Sequence, residues 1–226
     1  MEITMIHGQS HKGSTYHIST LIAKKLSRDD TIIYEYFMPK DTPSFCVGCF
    51  QCIQKGEEYC PQADKVQVIL ASMLRSDLII IDSPNYCFEM TGQLKTLFDH
   101  LAYIWMSHRP RREMFDKIGI VVSTAAGGGA GSVTKSLARQ LFWWGVPQIY
   151  RMNVNVNAMS WVEVPEKVKQ KIDRKVTSIS RKASHKLGKS KFNIKSKFIF
   201  TVMSKMQKSN TWNLTDRNYW ESKLWQ

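Results

Sequence analysis

The sequence predicts an α/β fold, a three-layer sandwich in which a five-stranded parallel sheet carries helices on both faces. Three observations carry that prediction. β-type runs alternate with stretches of helical period through the first two thirds of the chain. The run Leu78-Ile79-Ile80-Ile81 is apolar on both faces, as a central strand of a parallel sheet should be. The segments after the first, third and fourth runs are rich in glycine, hydroxyl or aromatic residues, a composition suited to binding loops.

The elements follow in order. Residues 3–6 make the first strand, and 14–26 a helix behind a glycine-bracketed turn. Residues 31–36 are β-rich, a cysteine-bearing segment intervenes, and 63–75 has helical period. Residues 78–81 form the third strand, and 92–105 a helix with Leu94, Leu97, Phe98 and Leu101 on one face. Ile118, Ile120, Val121 and Val122 mark a strand over 117–123, followed by a helix over 132–144, a fifth strand over 148–154 and a long helix over 166–187. Five strands joined in this way fit the flavodoxin-like order 2-1-3-4-5, whose ligand crevice lies at the carboxyl ends of the strands, where the order reverses.

Length and charge bound the rest. A chain of 226 residues has room for one well-buried core and an appendage. Its net charge of +13 is not spread evenly: residues 1–164 hold 16 Lys+Arg against 15 Asp+Glu, and residues 165–226 hold 16 against 4. The expected division is therefore a flavodoxin-like domain over 1–164 and a basic helix with an aromatic extension over 165–226, the latter ending in Trp212, Tyr219, Trp220 and Trp225. No apolar run reaches the roughly 18 residues of a membrane span. Glu2 stands where a secretory leader would carry bases, so the cytoplasm is the expected compartment.

The three loops carry the chemistry. Gly8-Gln9-Ser10-His11-Lys12-Gly13-Ser14-Thr15 leads into a helix N-terminus, where backbone N–H groups and the helix dipole favour an anion such as a phosphate. It matches neither the Walker A pattern nor GxGxxG. The loop 83–92 offers Pro84 and the rings of Tyr86 and Phe88 to a flat ligand, and 123–132 contains Gly127, Gly128 and Gly129, whose missing side chains let backbone approach closely.

Together these residues resemble the NAD(P)H-dependent FMN reductases of flavodoxin-like fold. The resemblance rests on Gly8 to Thr15, on Cys46-Val47-Gly48-Cys49-Phe50-Gln51-Cys52, on Ser83, Pro84, Tyr86, Met90, Lys95 and Asp99, and on Thr124 with Gly127 to Gly129; it covers roughly residues 1–155, with Gln9, Ser10 and His11 as departures in the phosphate loop. It implies that Ser10, Lys12, Gly13, Ser14 and Thr15 hold the FMN phosphate. Pro84, Asn85, Tyr86, Cys87 and Phe88 would lie along the ring and ribityl chain, and Thr124, Gly127, Gly128 and Gly129 would close the other edge. The implied activity is hydride transfer from NAD(P)H to FMN and onward electron transfer to a quinone, flavin, nitro compound or protein acceptor, with no catalytic side chain named. The family also implies a homodimer.

The cysteines leave alternatives open. Cys46, Cys49, Cys52 and Cys60 supply four thiols within 15 residues, the number a 4Fe–4S cluster uses, and the spacing resembles that of the iron–sulfur flavoproteins, a branch of the same family. Zinc would accept the same four ligands, and the wider family often carries such cysteines with no metal. The corresponding alternative function is an iron–sulfur flavoprotein or flavodoxin-type electron carrier. Cys87 is expected as a small buried hydrophobe, with a place near the flavin as the alternative. His7, His11, His17, His100 and His108 read as surface, loop or core histidines, and His108-Arg109-Pro110-Arg111-Arg112 as a solvated charge run or a contact for the extra phosphate of NADPH. The basic extension is expected to clasp a second subunit, with a loose solvated tail as the main alternative and peripheral contact with an anionic membrane as a further one; nucleic acid is not expected.

Overall fold

The computed structural model describes residues 1–222, so Trp225 of the expected aromatic tail lies outside the described residues. Five strands, β1 (Glu2–His7), β2 (Ile32–Phe37), β3 (Leu78–Asp82), β4 (Ile118–Ala125) and β5 (Gln148–Asn155), form one sheet in the order β2-β1-β3-β4-β5. All four pairings are parallel, with Ile3 opposite Ile33 on one side and Leu78 on the other. This is the flavodoxin-like order expected from the pattern of runs. The strands that read as apolar on both faces are those buried on both faces: every residue of β3 and β4 is buried, whereas the edge strand β2 leaves Ile32 and Ile33 about half exposed.

The helices are α1 (Ser14–Leu26), α2 (Gln51–Gln54), α3 (Ala63–Arg75), α4 (Gly92–His100), α5 (Ala130–Trp143), α6 (Glu166–Lys186), α7 (Ile194–Lys208) and α8 (Leu214–Glu221). They divide between the two faces of the sheet. On one face α3, α4 and α5 bury Ile69, Leu70, Met73, Leu94, Leu97, Leu137 and Leu141 against Ile79, Ile81 and Val121. On the other, Ile18 and Ile22 of α1 and Ile172 and Val176 of α6 pack on Ile3, Met5, Ile80 and Ile120. The alternation along β3 decides which residue goes to which face. The helix expected over 92–105 ends earlier, at His100, and continues as a 3-10 turn over Ala102–Ile104.

The segment from 165 onward contributes directly to this architecture. α6 completes the second helical layer through Ile172, Val176 and Ala183. α8 buries Trp220 and Asp216 against the 108–110 loop, with Trp220 Nε1 donating to the carbonyl of His108 at 2.5 Å. Among the described residues no helix is long and apolar enough to cross a membrane.

Candidate active site

The loops after β1, β3 and β4 converge at the carboxyl end of the sheet on a cavity of about 300 Å³, lined by Gln9, Gly13, Thr15, Asp82, Pro84 and Thr124 among others. Its walls are joined across the chain. The hydroxyls of Thr15, in the first turn of α1, and Thr124, at the end of β4, lie 2.6 Å apart. The N–H of Asn85 donates to the carbonyl of Thr124 at 2.9 Å, its side-chain amide to the carbonyl of Gly128 at 2.8 Å, and Asn155 Nδ2 to the carbonyl of Gly127 at 2.7 Å.

The turn out of β1 is shaped by Gly8. Its N–H donates to the carbonyl of Asp82 at 2.7 Å, and its own carbonyl accepts from Thr91 Oγ1 at 2.7 Å. A Cβ at this position would stand 2.9 Å from the Asp82 oxygen and 3.1 Å from Ser83 Cβ, so the close approach of β1 to the β3 loop requires glycine. Gly13 then occupies the N-cap of α1 without a side chain to accept from the first turn, which leaves N–H groups of the helix start directed toward the cavity end.

The sequence-derived site residues distribute as follows. Gly13, Ser14, Thr15, Pro84, Asn85, Tyr86 and Thr124 line the cavity. Ser10 is turned away, its hydroxyl donating to the carbonyl of Met38 at 2.9 Å. Lys12 places its ammonium over the rings of Tyr16 and Phe37, 5.2 and 5.8 Å from their centroids. Cys87 and Phe88 form the tip of a tight turn closed by reciprocal hydrogen bonds between Tyr86 and Glu89, both at 3.0 Å; their φ values of 51° and 65° are rare for residues with a Cβ. Cys87 is exposed there, which corrects its expected burial. Gly129 has φ +91° and caps α5, while a Cβ on Gly127 or Gly128 would meet nothing within 4 Å.

That open space is a test of fit for a flavin. Neither Gly127 nor Gly128 has a φ that demands glycine, and no neighbour crowds them, so the space in front of them suits a ligand. Asn85 Oδ1, buried with no hydrogen-bond partner among the described residues, adds an acceptor awaiting a donor such as a ring N–H. The residues present fit FMN.

The cysteine segment offers no ready-made site for a single metal ion: among the described residues no group of three or more His, Cys, Asp or Glu side chains could hold one, so the thiols of Cys46, Cys49, Cys52 and Cys60 are not gathered around one centre as zinc would need. All five cysteines are free, Cys46 and Cys49 exposed and Cys52 and Cys60 half-buried. Burial, reinforced by the neighbouring Cys60 and Cys46, pushes the Cys52 thiol up to about 11. Cys60 Sγ lies 3.5 Å from His100 Nδ1, while Nε2 of that ring is 2.8 Å from the carbonyl of Ser44.

The arginine run is only partly a solvated face: Arg112 is exposed, but its neighbours are engaged. Arg109 is 4% exposed and donates to the Asp216 carboxylate and to the carbonyls of Cys52 and Ile53; Arg111 pairs with Glu57. His7, for which the sequence left surface, loop and core readings open, is a core histidine beside the cavity, paired with Asp82, which sequence reasoning passed over. His7 ends β1 with Nδ1 2.6 Å from Asp82 Oδ2 and Nε2 3.0 Å from Glu35 Oε1. The signal was present: a histidine and an aspartate at the carboxyl ends of adjacent, otherwise apolar central strands.

The model of the family described as NADPH-dependent FMN reductase matches residues 1–160. The chain belongs to this family. The chain is 33% identical over 143 residues to an iron–sulfur flavoprotein of Clostridioides difficile, covering 61% of each chain, and 27% identical over 141 residues to an FMN-dependent NADH:quinone oxidoreductase of Burkholderia thailandensis, covering 60% of this chain and 65% of that one. These alignments span less than two thirds of the relatives' own lengths. An azoreductase of Bacillus anthracis shares the fold at a TM-score of 0.60 and 14% identity, over 82% of this chain and 99% of that one. In this FMN reductase family member, β2 is followed by the cysteine segment, and the matched region ends before α6 begins.

Proposed function

We propose that this protein is an FMN-dependent NAD(P)H oxidoreductase whose flavin occupies the cavity at the carboxyl ends of β1, β3 and β4. The observation that carries the reading is the cavity itself: three loops joined by their own hydrogen bonds around an uncapped helix N-terminus, with open space over Gly127 and Gly128. Family membership and the FMN dependence of the Burkholderia relative support it.

Bound FMN would supply two-electron acceptance from a nicotinamide and donation to an acceptor. The chain's residues bind and orient. The N–H groups at the start of α1, with Ser14 and Thr15, hold the phosphate, and Lys12 raises the local positive potential. Pro84, Asn85 and Tyr86 flank the ring, with the amide of Asn85 oriented by Gly128, and Thr124 with Gly127 to Gly129 closes the opposite edge. Cys87 and Phe88, at the exposed turn tip, stand at the rim.

A second reading, an electron carrier serving a protein partner, has its own observation. The exposed rings of Phe45, Phe50, Tyr86 and Phe88 belong to the cysteine segment and the β3 loop, and such surfaces suit docking to a protein or to a second copy of this chain. Free cysteines fit a reducing compartment such as the cytoplasm.

The visible spectrum of purified protein incubated with FMN and desalted tests the binding, and steady-state oxidation of NADH and NADPH with a quinone tests the activity. Retained flavin with rapid turnover is expected. Retained flavin with negligible turnover selects the carrier, and protein that keeps no flavin rejects both.

A further inference from the structure

The buried His7 cluster lies directly under the phosphate end of the cavity. His7 is 1% exposed, stacked on Phe37 at 4.7 Å and tilted against Tyr16 of α1 at 5.0 Å. Asp82 from β3 and Glu35 from β2 bind its two ring nitrogens, so the ring donates to two carboxylates at once when doubly protonated. Asp82, 2% exposed, lines the cavity and through its main-chain carbonyl fixes Gly8.

The charges facing this ring from each packed element are few. Asp82 and Glu35 are the anions, Lys12 is a cation above the Tyr16 and Phe37 rings, and Tyr16 is the remaining titratable group; His11 lines the cavity itself. Burial pulls the His7 pKa down, but hydrogen bonds and charge from Asp82 and then Glu35 outweigh it and hold the value above the usual histidine range. A neutral His7 would leave the Asp82 carboxylate without its buried counter-charge at the wall of a site meant for an anion.

Building on the flavin reading, we propose that His7 is a positioning residue for the cofactor's phosphate: its imidazolium neutralises Asp82, so that a phosphate ester binds tightly only while His7 holds its second proton. The coupling is reciprocal, because a bound phosphate must also stabilise that proton. Affinity for the phosphate-bearing ligand is therefore full below the His7 pKa and falls as the pH rises through it.

The test is the Kd of FMN and of riboflavin, which lacks the phosphate, measured by flavin fluorescence quenching between about pH 7 and 9, above the second ionisation of a phosphate monoester near 6. FMN affinity should fall by about tenfold or more across this range, the scale of one unit charge acting from about 10 Å at the dielectric near a protein surface, while riboflavin affinity stays level. Glu35→Gln, at an exposed position, should move the fall to lower pH, and His7→Gln should remove it. His11→Gln, which deletes the other imidazole at the cavity, should retain it. Parallel pH profiles for FMN and riboflavin, or a fall that disappears in His11→Gln, overturn the proposal. A wild-type protein that binds neither ligand at any pH overturns the flavin reading and the proposal with it, whereas FMN binding without the pH step overturns the proposal alone.

Discussion

Two irregular regions flank this sheet, and they are stabilised in opposite ways. The cavity loops are tied to one another by short cross-links such as Thr15 to Thr124 and Asn85 to Gly128, and they keep polar capacity in reserve at the α1 N-terminus and at Asn85 Oδ1. The cysteine segment, which has only the four-residue α2 as regular helix, is held from outside instead: Arg109 grips the carbonyl of Cys52, Thr215 Oγ1 donates to the carbonyl of Gln54 at 2.5 Å, and Asp216 binds Arg109 and His108. The cavity loops keep a helix start and an amide oxygen free for a ligand, whereas carbonyls of the cysteine segment are taken by its own chain, although Arg109 Nε and Arg111 Nε of that grip are buried without partners among the described residues. The first arrangement gains stability on binding; the second already has it.

The largest effect should come from breaking the outside grip. Asp216 is fully buried, accepts from Arg109 and from Asn213 Nδ2 at 2.9 Å, and lies 2.6 Å from His108 Nδ1. Asp216→Ala would leave the Arg109 guanidinium only the Glu57 carboxylate, 3.5 Å away, a loss toward the lower end of about 3–5 kcal/mol. Urea unfolding should show it as a lowered midpoint, with Asp216→Asn intermediate. A midpoint within about 1 kcal/mol of wild type would mean that α8 contributes little to holding the segment.

Breaking the cavity's internal fit should cost less. Gly8→Ala pushes a Cβ toward the Asp82 carbonyl, Thr91 Oγ1 and Ser83, all within 3.1 Å, and the backbone has to give way. Overpacking of this kind costs about 1–3 kcal/mol, and the same shift moves the start of the phosphate loop, so FMN affinity should fall together with stability. Gly127→Ala meets no neighbour within 4 Å and should leave the apoprotein's melting temperature within a degree or two while weakening FMN binding. A Gly127→Ala variant that binds FMN as wild type does would show that this glycine makes no approach to the ligand.

The fold was legible because its information is local. Period, apolar runs and glycine punctuation placed every strand to within two residues at either end, and Gly8, Gly13 and Thr124 marked the cavity. What stayed hidden depends on charges that meet across long stretches of chain. Arg109 and Asp216 are 107 residues apart, so the run around Arg109 read as solvated when its partner was out of view. The cluster at His7 needs residues from three strands at once. The turn at Cys87 and Phe88 carries no Asn-Gly or similar signal, and only the Tyr86–Glu89 pairing reveals it. The cysteine spacing was plain, but spacing does not orient side chains, and the contacts from Arg109, Thr215 and His100 that hold the segment come from distant parts of the chain.

The smallest effect is kinetic and distinguishes the two regions most finely. With its thiol half-buried and pushed up to about 11, Cys52 should be alkylated by iodoacetamide at pH 8 about two orders of magnitude more slowly than free cysteine, since the thiolate is the nucleophile. Exposed Cys46, Cys49 and Cys87 should be labelled first when peptides are mapped by mass. In Asp216→Ala the lag of Cys52 should shrink while labelling of Cys87, in the cavity loop, stays unchanged, because the grip being released holds only the cysteine segment. Equal labelling of Cys46 and Cys52 in the wild-type protein would mean that the segment opens faster than it reacts, and the contrast between a region fixed by its own chain and one waiting for a ligand would not hold.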